Sequence, residues 1–215
     1  VEDINGDGHR DVLATELLPP GIRVVFGRGD GTFSDPLTLE TGPEPVSIAL
    51  ADFNRDGLMD LATANAGGST LSVILAQVAG GFGEHRLYTI GGEQSTRIAA
   101  ADVDTDGVLD LLALSVNTND VSILLGDGAG GFVESGTVLP TGQEARSWAV
   151  GKLDGHGFVD VAILPEQTAE NVFYHGRGDG SFEAAQSISA RAGVFEMHVS
   201  DLDGDERLDL AFLAT

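Results

Sequence analysis

The sequence predicts an all-β protein, a β-propeller of four-stranded antiparallel blades, on three observations. A phenylalanine preceded by a glycine-rich turn recurs every 49 or 50 residues, at Phe33, Phe82, Phe132 and Phe182. An acidic segment such as "DFNRDGLMD" recurs along the chain with the same spacing. Between these landmarks, the apolar runs are short and bounded by Gly, Asn, Asp or Ser, which is typical of strands. Two independent landmarks with one period indicate a structural repeat.

The segment 46–93 shows what one repeat contains. Four strands are predicted in it, at "VSIALADF", "LMDLATAN", "LSVILAQ" and "HRLYTI", separated by turn or loop sequences. Small residues alternate along the first strand, as at Ala49 and Ala51, because strands around a narrow axis approach closely. The bulky residues that fill the space between neighbouring sheets are Ile48, Ile98, Trp148 and Met197. Four-stranded units stacked face to face around an axis form a propeller.

Two other repeat architectures fit the period less well. Parallel β-solenoids have shorter repeats, and propellers with a Trp-Asp signature have repeats of about 40 to 45 residues. No Trp-Asp pair occurs in this chain. At about 50 residues per repeat, the 215 residues hold about 4.3 units. We assign one domain, 1–215, with repeats at 1–45 (partial), 46–95, 96–145, 146–194 and 195–215 (partial).

The composition favours cations as partners. The formal net charge is −23, from 34 acidic and 11 basic residues, which would repel nucleic acid and anionic membrane surfaces. There are no cysteines, so disulfides and thiolate metal sites are excluded. No apolar run approaches the roughly 18 to 20 residues of a membrane span, and the chain shows no signal-peptide pattern.

The acidic segments are the candidate metal sites. In "DFNRDGLMD" the side chains at positions 1, 3, 5 and 9 all carry oxygen, Gly57 at position 6 permits a sharp bend, and a backbone carbonyl at position 7 can turn inward. Alternate oxygens aimed at one centre suit Ca²⁺, whereas Mg²⁺ demands octahedral geometry and retains its waters. Four loops supply such sets: Asp3, Asn5, Asp7, His9 and Asp11; Asp52, Asn54, Asp56, Leu58 and Asp60; Asp102, Asp104, Asp106, Val108 and Asp110; and Asp201, Asp203, Asp205, Arg207 and Asp209.

Two loops depart from this pattern. Glu206 replaces the glycine at position 6 of the last loop, which predicts a strained bend or a weaker site. The loop of the fourth repeat, 152–160, has Lys152 at position 1 and His156 at position 5. We expect its ammonium group to occupy the place of calcium, neutralised by Asp154 and Asp160, so that this loop binds no metal.

The tripeptide Arg-Gly-Asp occurs twice, in "GRGDGTF" at 27–33 and "GRGDGSF" at 176–182. Extracellular adhesion receptors bind this tripeptide, so an adhesive ligand is one interpretation. The same turn of the other repeats is filled by "AQVAGGF" and "GDGAGGF", which favours a turn before a buried aromatic residue.

These segments resemble the calcium-binding FG-GAP repeat, also called the VCBS-type repeat, of integrin α-subunit propellers and many secreted bacterial proteins. "DFNRDGLMDLATAN", "VSILLGDGAGGF" and "VVFGRGDGTF" carry the resemblance, which covers essentially the whole chain. It implies that each unit is one blade, with the acidic loop between its first two strands. Because such propellers usually have seven blades and need about 350 residues, we expect an incomplete ring that belongs to a longer chain and partners its remaining blades.

Three functions remain open from the sequence. An enzyme is disfavoured, since the five histidines form no H-E-x-x-H motif and no G-x-S-x-G segment exists. A binding module would use the variable loops between blades and between second and third strands, near Arg97, Arg146 and Trp148, with a protein or glycan as ligand. A scaffold or accessory module of a secreted polysaccharide-degrading enzyme is the alternative. We expect a non-catalytic, extracellular or cell-surface, calcium-binding adhesion module.

Overall fold

The computed structural model describes residues 1–78, 81–166, 170–189, 194–202 and 208–214. Within these ranges the chain folds into antiparallel sheets that follow one another along the sequence. The first sheet contains β1 (Val12–Leu17), β2 (Pro20–Val25) and β3 (Leu37–Glu40). The second contains β4 (Pro45–Ala51), β5 (Asp60–Asn65), β6 (Thr70–Ile74) and β7 (Arg86–Thr89).

The third and fourth sheets also have four strands in sequence order. The third contains β8 (Ser95–Ala101), β9 (Asp110–Ser115), β10 (Asp120–Gly126) and β11 (Phe132–Pro140). The fourth contains β12 (Ala145–Gly151), β13 (Asp160–Pro165), β14 (Glu170–Tyr174) and β15 (Gln186–Ser189). The last pair is β16 (Val194–Ser200) and β17 (Asp209–Ala214). The prediction of an all-β chain with four-stranded antiparallel sheets is confirmed.

The sheets pack face to face. Strands β4, β8, β12 and β16 contact one another in that order, so the first strand of each unit lies innermost. A separate apolar cluster fills each gap between neighbouring sheets. Between the second and third sheets, the rings of Phe53 and Phe132 meet edge to face with centroids 5.5 Å apart, a favourable aromatic geometry. This stacking is that of propeller blades.

Small and bulky residues of the first strands face opposite sides of their sheets, as their alternation predicts. Ile98 and Met197 are buried, and each belongs to the cluster between its own sheet and the preceding one. Trp148 is partly buried against the corresponding cluster between the third and fourth sheets. Ala49 faces the opposite way, into the cluster with the following sheet. Trp148 is therefore a core residue.

Among the described residues no helix is long and apolar enough to cross a bilayer.

Candidate metal centres

The acidic loops lie at one end of the sheets, each immediately before the second strand of its unit. In the loops 3–11, 52–60, 102–110 and 152–160, the aspartate at position 9 is almost completely buried. One of its oxygens accepts the backbone N–H of loop position 2, and the other accepts an N–H at the end of the third strand. In the second unit these donors are Phe53, at 2.9 Å, and Ala76, at 2.8 Å.

The equivalent bonds recur in the other loops. Asp11 accepts from Ile4 and Gly27, Asp110 from Val103 and Gly126, and Asp160 from Leu153 and Gly176. The position 9 aspartate therefore anchors the loop to the sheet, a role that the sequence did not reveal. Each carboxylate oxygen of Asp11, Asp60 and Asp110 retains a further lone pair, so metal coordination by these three residues stays a prediction.

The first two loops use an asparagine at position 3. In the loop 52–60, Asn54 Nδ2 donates to Asp56 Oδ2 at 3.0 Å, and Asp56 Oδ1 accepts the N–H of Leu58 at 2.9 Å. Asp52 accepts the N–H groups of Asp56 and Gly57. The first loop repeats this network with Asp3, Asn5 and Asp7, and Asp7 Oδ1 accepts the N–H of His9. The oxygens at positions 1, 3 and 5 thus gather on one side of the turn.

The third loop is the most acidic of the four loops that the structure describes in full. Oxygens of Asp102, Asp104 and Asp106 lie within 4.8 Å of one another, close enough to share one ion. Asp102 Oδ1 is buried and has no hydrogen-bond partner. A buried oxygen without a donor is costly unless a cation compensates it. Burial, with the charges of Asp104 and Asp102 as smaller causes, raises the pKa of Asp110 from 3.8 to about 6 against its two backbone hydrogen bonds.

The fourth loop corrects one prediction. Lys152 is exposed and forms no ion pair with Asp154 or Asp160 in the described structure. Asp154 Oδ2 is instead contacted by two imidazoles, His156 Nδ1 at 2.9 Å and His175 Nδ1 at 2.6 Å. A flexible lysine keeps its hydrated ammonium in solvent at less cost than burying it.

Part of the fifth loop lies outside the described residues. This applies to Asp203, Asp205, Arg207 and the replacement Glu206. Asp201 is exposed, and Asp209 begins β17 opposite Ser200. The metal set predicted for this loop therefore stays a prediction.

The loops bend through left-handed residues at positions 4 and 6. At position 6 the glycines have φ between 79° and 91°, among them Gly57 and Gly107. At position 4 the second and third loops carry Arg55 (φ 61°) and Thr105 (φ 60°), which are non-glycine residues in a region that disfavours side chains. The sequence predicted the bend at the position 6 glycine but not this second bend at position 4.

Both Arg-Gly-Asp segments form turns, but the aromatic residue that follows is exposed at Phe33 and half-buried at Phe182, so the prediction of a buried aromatic residue is wrong at Phe33. Asp30 Oδ1 accepts hydrogen bonds from the N–H and hydroxyl of Thr32, and Asp179 Oδ1 accepts the same pair from Ser181. Gly29 and Gly178 on the N-terminal side of these aspartates have positive φ. These local bonds account for the aspartate at this position of the repeat.

At the opposite end, a backbone hydrogen bond joins two loops in each of the second, third and fourth units. The N–H of Ala66 donates to the carbonyl of Glu44 at 2.9 Å, that of Val116 to Gln94 at 3.2 Å, and that of Glu166 to Glu144 at 2.8 Å. Arg97 and Arg146 are exposed here, and Arg97 Nη2 donates to the carbonyl of Arg146 at 3.2 Å. Among the described residues, this end presents hydrogen-bonded loops with two adjacent arginines.

Comparison with known families identifies the repeat. The FG-GAP-like repeat profile matches residues 3–63 and 152–212, and the FG-GAP repeat profile matches residues 45–83. These matches together cover more than half of the chain. The chain belongs to the FG-GAP repeat family. FG-GAP repeats are propeller blades, in agreement with the stacked sheets, and the acidic clusters of this chain are groups that could hold metal ions.

Solved structures with the same fold accompany this assignment. A lectin from Agrocybe aegerita, described for specific recognition of non-reducing terminal N-acetylglucosamine, matches with a TM-score of 0.67 and 20% identity over 97% of this chain and 58% of its own. The V. cholerae biofilm matrix protein Bap1 matches with a TM-score of 0.54 and 19% identity over 98% of this chain and 33% of its own. The FG-GAP chain thus spans little over half of the lectin. No curated protein matches the sequence.

Proposed function

We propose that this FG-GAP chain is a calcium-stabilised, extracellular propeller module that binds a glycan or protein ligand and has no catalytic activity of its own. The observation that supports the calcium assignment is the buried Asp102 Oδ1, which accepts no hydrogen bond. Asp102 is one of three clustered carboxylates, with Asp104 and Asp106. A hard divalent ion supplies the missing positive charge, because Ca²⁺ prefers oxygen ligands from carboxylates, amides and carbonyls.

The residues that would hold calcium are those at positions 1, 3, 5 and 9 of the loops, with the carbonyl of position 7. The bound ion would neutralise carboxylates whose mutual repulsion opposes this compact turn. Since the loop precedes the second strand and Asp110 also anchors the end of the third strand, the ion would stiffen one end of the blade.

The ligand-binding surface would be the opposite end of the sheets. There the cross-loop hydrogen bonds from Ala66, Val116 and Glu166 limit the conformational entropy that ligand binding would cost. Arg97 and Arg146 supply guanidinium donors for sugar hydroxyls or acidic groups. A lectin and a biofilm matrix protein share the fold, which supports a binding role over a catalytic one. The latter neighbour also supports a location outside the cell.

A glycan array in calcium tests the binding role. We expect the wild-type chain to bind one class of glycan and Arg97→Ala to lose most of that signal. Arg23→Ala is the matched control, since Arg23 is an exposed arginine of the first sheet that pairs only with Glu16 among the described ion pairs. Equal loss of signal in both variants, or no binding to any glycan or candidate protein, would reject this surface.

A further inference from the structure

We infer that the fourth unit holds a zinc ion in place of calcium, bound by Asp154, His156 and His175. This inference does not depend on the calcium proposal, because it concerns the one described loop in which the calcium ligand set is broken. The sequence alone predicted that this loop binds no metal.

The two imidazoles already meet at one carboxylate oxygen. Both imidazole Nδ1 atoms contact the same oxygen, Asp154 Oδ2, at 2.9 Å for His156 and 2.6 Å for His175. Donor atoms of His175, Asp154 and Asp160 also lie within 4.8 Å of one another. Tetrahedral zinc with ligand bonds of 2.0–2.2 Å separates its donors by about 3.3 Å. To admit the ion, the contacts with Asp154 would lengthen by about 0.4 Å at His156 and about 0.7 Å at His175. The exposed His156 would also turn toward His175, because the cluster of donor atoms within 4.8 Å includes Asp160 and not His156.

The fourth unit differs from the others at two linked positions. At loop position 5, His156 replaces the aspartates Asp7, Asp56 and Asp106. His175 lies just before Gly176, whose N–H donates to the position 9 aspartate of this unit. The first three units have Phe26, Leu75 and Leu125 at the equivalent position. An imidazole stands where the described equivalents are apolar, and it is aimed at the altered loop. Two independent changes that supply nitrogen ligands to one point indicate a change of metal preference.

The chemistry of the donors selects the metal. Imidazole nitrogen suits zinc and other first-row transition ions, whereas calcium takes oxygen ligands. Two imidazoles and one carboxylate make the three-ligand set of zinc sites with an open fourth position. Asp160 is less suited as the fourth ligand, because its Oδ2 already accepts two backbone N–H groups and its Oδ1 accepts a third.

The open side faces a cavity. Asp154, His156 and His175 line a cavity of about 480 Å³ together with Phe158, Arg177 and Glu183. Water or a small anionic group held by Arg177 could complete the coordination there. The ring of His175 also packs on Phe173, with centroids 4.7 Å apart, so one ligand is held by the core of the sheet.

Zinc titration of the whole chain in excess Ca²⁺ tests the inference, with the calcium keeping the oxygen-rich loops occupied. We expect one equivalent of zinc to bind, and Co²⁺ to bind with the intense visible bands of tetrahedral coordination. His175→Leu restores the residue found in the second and third units, so it should fold, and it should weaken zinc binding at least about tenfold. His156→Ala, at an exposed position, should weaken it as well. His85→Ala is the control and should leave zinc binding unchanged.

Three outcomes would overturn the inference. They are no stoichiometric zinc binding in calcium, unchanged zinc affinity in both His175→Leu and His156→Ala, or equal loss of zinc affinity in His85→Ala. The melting temperature of each variant in calcium checks that the fold is retained. A cobalt spectrum typical of octahedral water coordination would also count against the site.

Discussion

Asp60 and Ala76 are joined by a 2.8 Å hydrogen bond from the backbone N–H of Ala76 to Asp60 Oδ1. The other oxygen of Asp60 accepts the N–H of Phe53 at 2.9 Å. One buried carboxylate therefore links the acidic loop to the ends of two strands. Burial raises the pKa of Asp60, and these two hydrogen bonds oppose that rise. The aspartate has a structural role that does not require metal.

Replacing this aspartate should destabilise the protein even without metal. Asp60→Ala leaves two buried N–H groups unpaired, and we expect a loss of about 2–4 kcal/mol in the free energy of unfolding. Urea denaturation in EDTA measures it. Asp127→Ala is the matched control, since Asp127 also accepts two backbone N–H bonds but in an exposed turn. A loss of under about 1 kcal/mol is expected there. Equal losses would contradict the anchoring role.

The calcium ligands at the start of each loop should act on binding instead. Asp104→Ala removes one carboxylate from the cluster with Asp102 and Asp106, so calorimetry should show one calcium site lost or weakened at least about tenfold. Asp127→Asn removes an equal charge outside the loop and should leave the stoichiometry unchanged. If both variants bind calcium as the wild type does, the third loop is not a metal site.

The pKa of Asp110 offers a test by pH. Burial raises this pKa from 3.8 to about 6 in the folded protein. Without metal, the Asp110 carboxyl group therefore loses its proton at a lower pH in the unfolded chain than in the folded one. Because the folded state then binds more protons than the unfolded state, the contribution of Asp110 lowers the free energy of unfolding as the pH rises from about 4 to about 6. The NMR chemical shift of the Asp110 carboxyl carbon, followed against pH in EDTA, should titrate with a midpoint near 6. Calcium should lower that midpoint. A midpoint near 4 that calcium does not move would refute this assignment.

The fourth loop should be convertible to a calcium site. The double variant Lys152→Asp with His156→Asp restores the carboxylates that the other loops have at positions 1 and 5. We expect one additional calcium by calorimetry. Lys152→Ala is the control and should leave calcium stoichiometry unchanged, because the exposed Lys152 contacts neither Asp154 nor Asp160 as an ion pair. No gain in the double variant would show that loop sequence alone does not define the site.

The repeat made most of the fold predictable. The segment "LMDLATAN" was expected to be a strand, and β5 (Asp60–Asn65) lies within it, because alternation and turn residues are local signals. Trp148 was assigned to the core from its place in the same alternation, and it packs there. Strand β11 is longer than the outer strands of the other units, and a bulge at Ser122 and Leu124 of its partner strand gave no signal in the sequence.

The site was predictable only where its residues are close in sequence. The cluster of Asp102, Asp104 and Asp106 follows from their alternate spacing in one turn. The contact between Asp154 and His175 spans 21 residues and depends on how two hairpins meet, so nothing in the sequence connected His175 with the loop 152–160. The prediction that the Lys152 ammonium group takes the place of calcium was wrong. It rested on charge complementarity alone and did not consider that a flexible lysine can remain in solvent.

The melting temperature in calcium and in EDTA tests the central claim most directly. At free calcium of about 100 times Kd, each site specific to the folded state adds about 2.7 kcal/mol. For a chain of this size that corresponds to a rise of about 5–10 °C per site. We expect calcium to raise the melting temperature, EDTA to reverse the rise, and equal magnesium to give a smaller effect. A melting temperature that neither calcium nor EDTA changes would contradict the claim that calcium stabilises these blades.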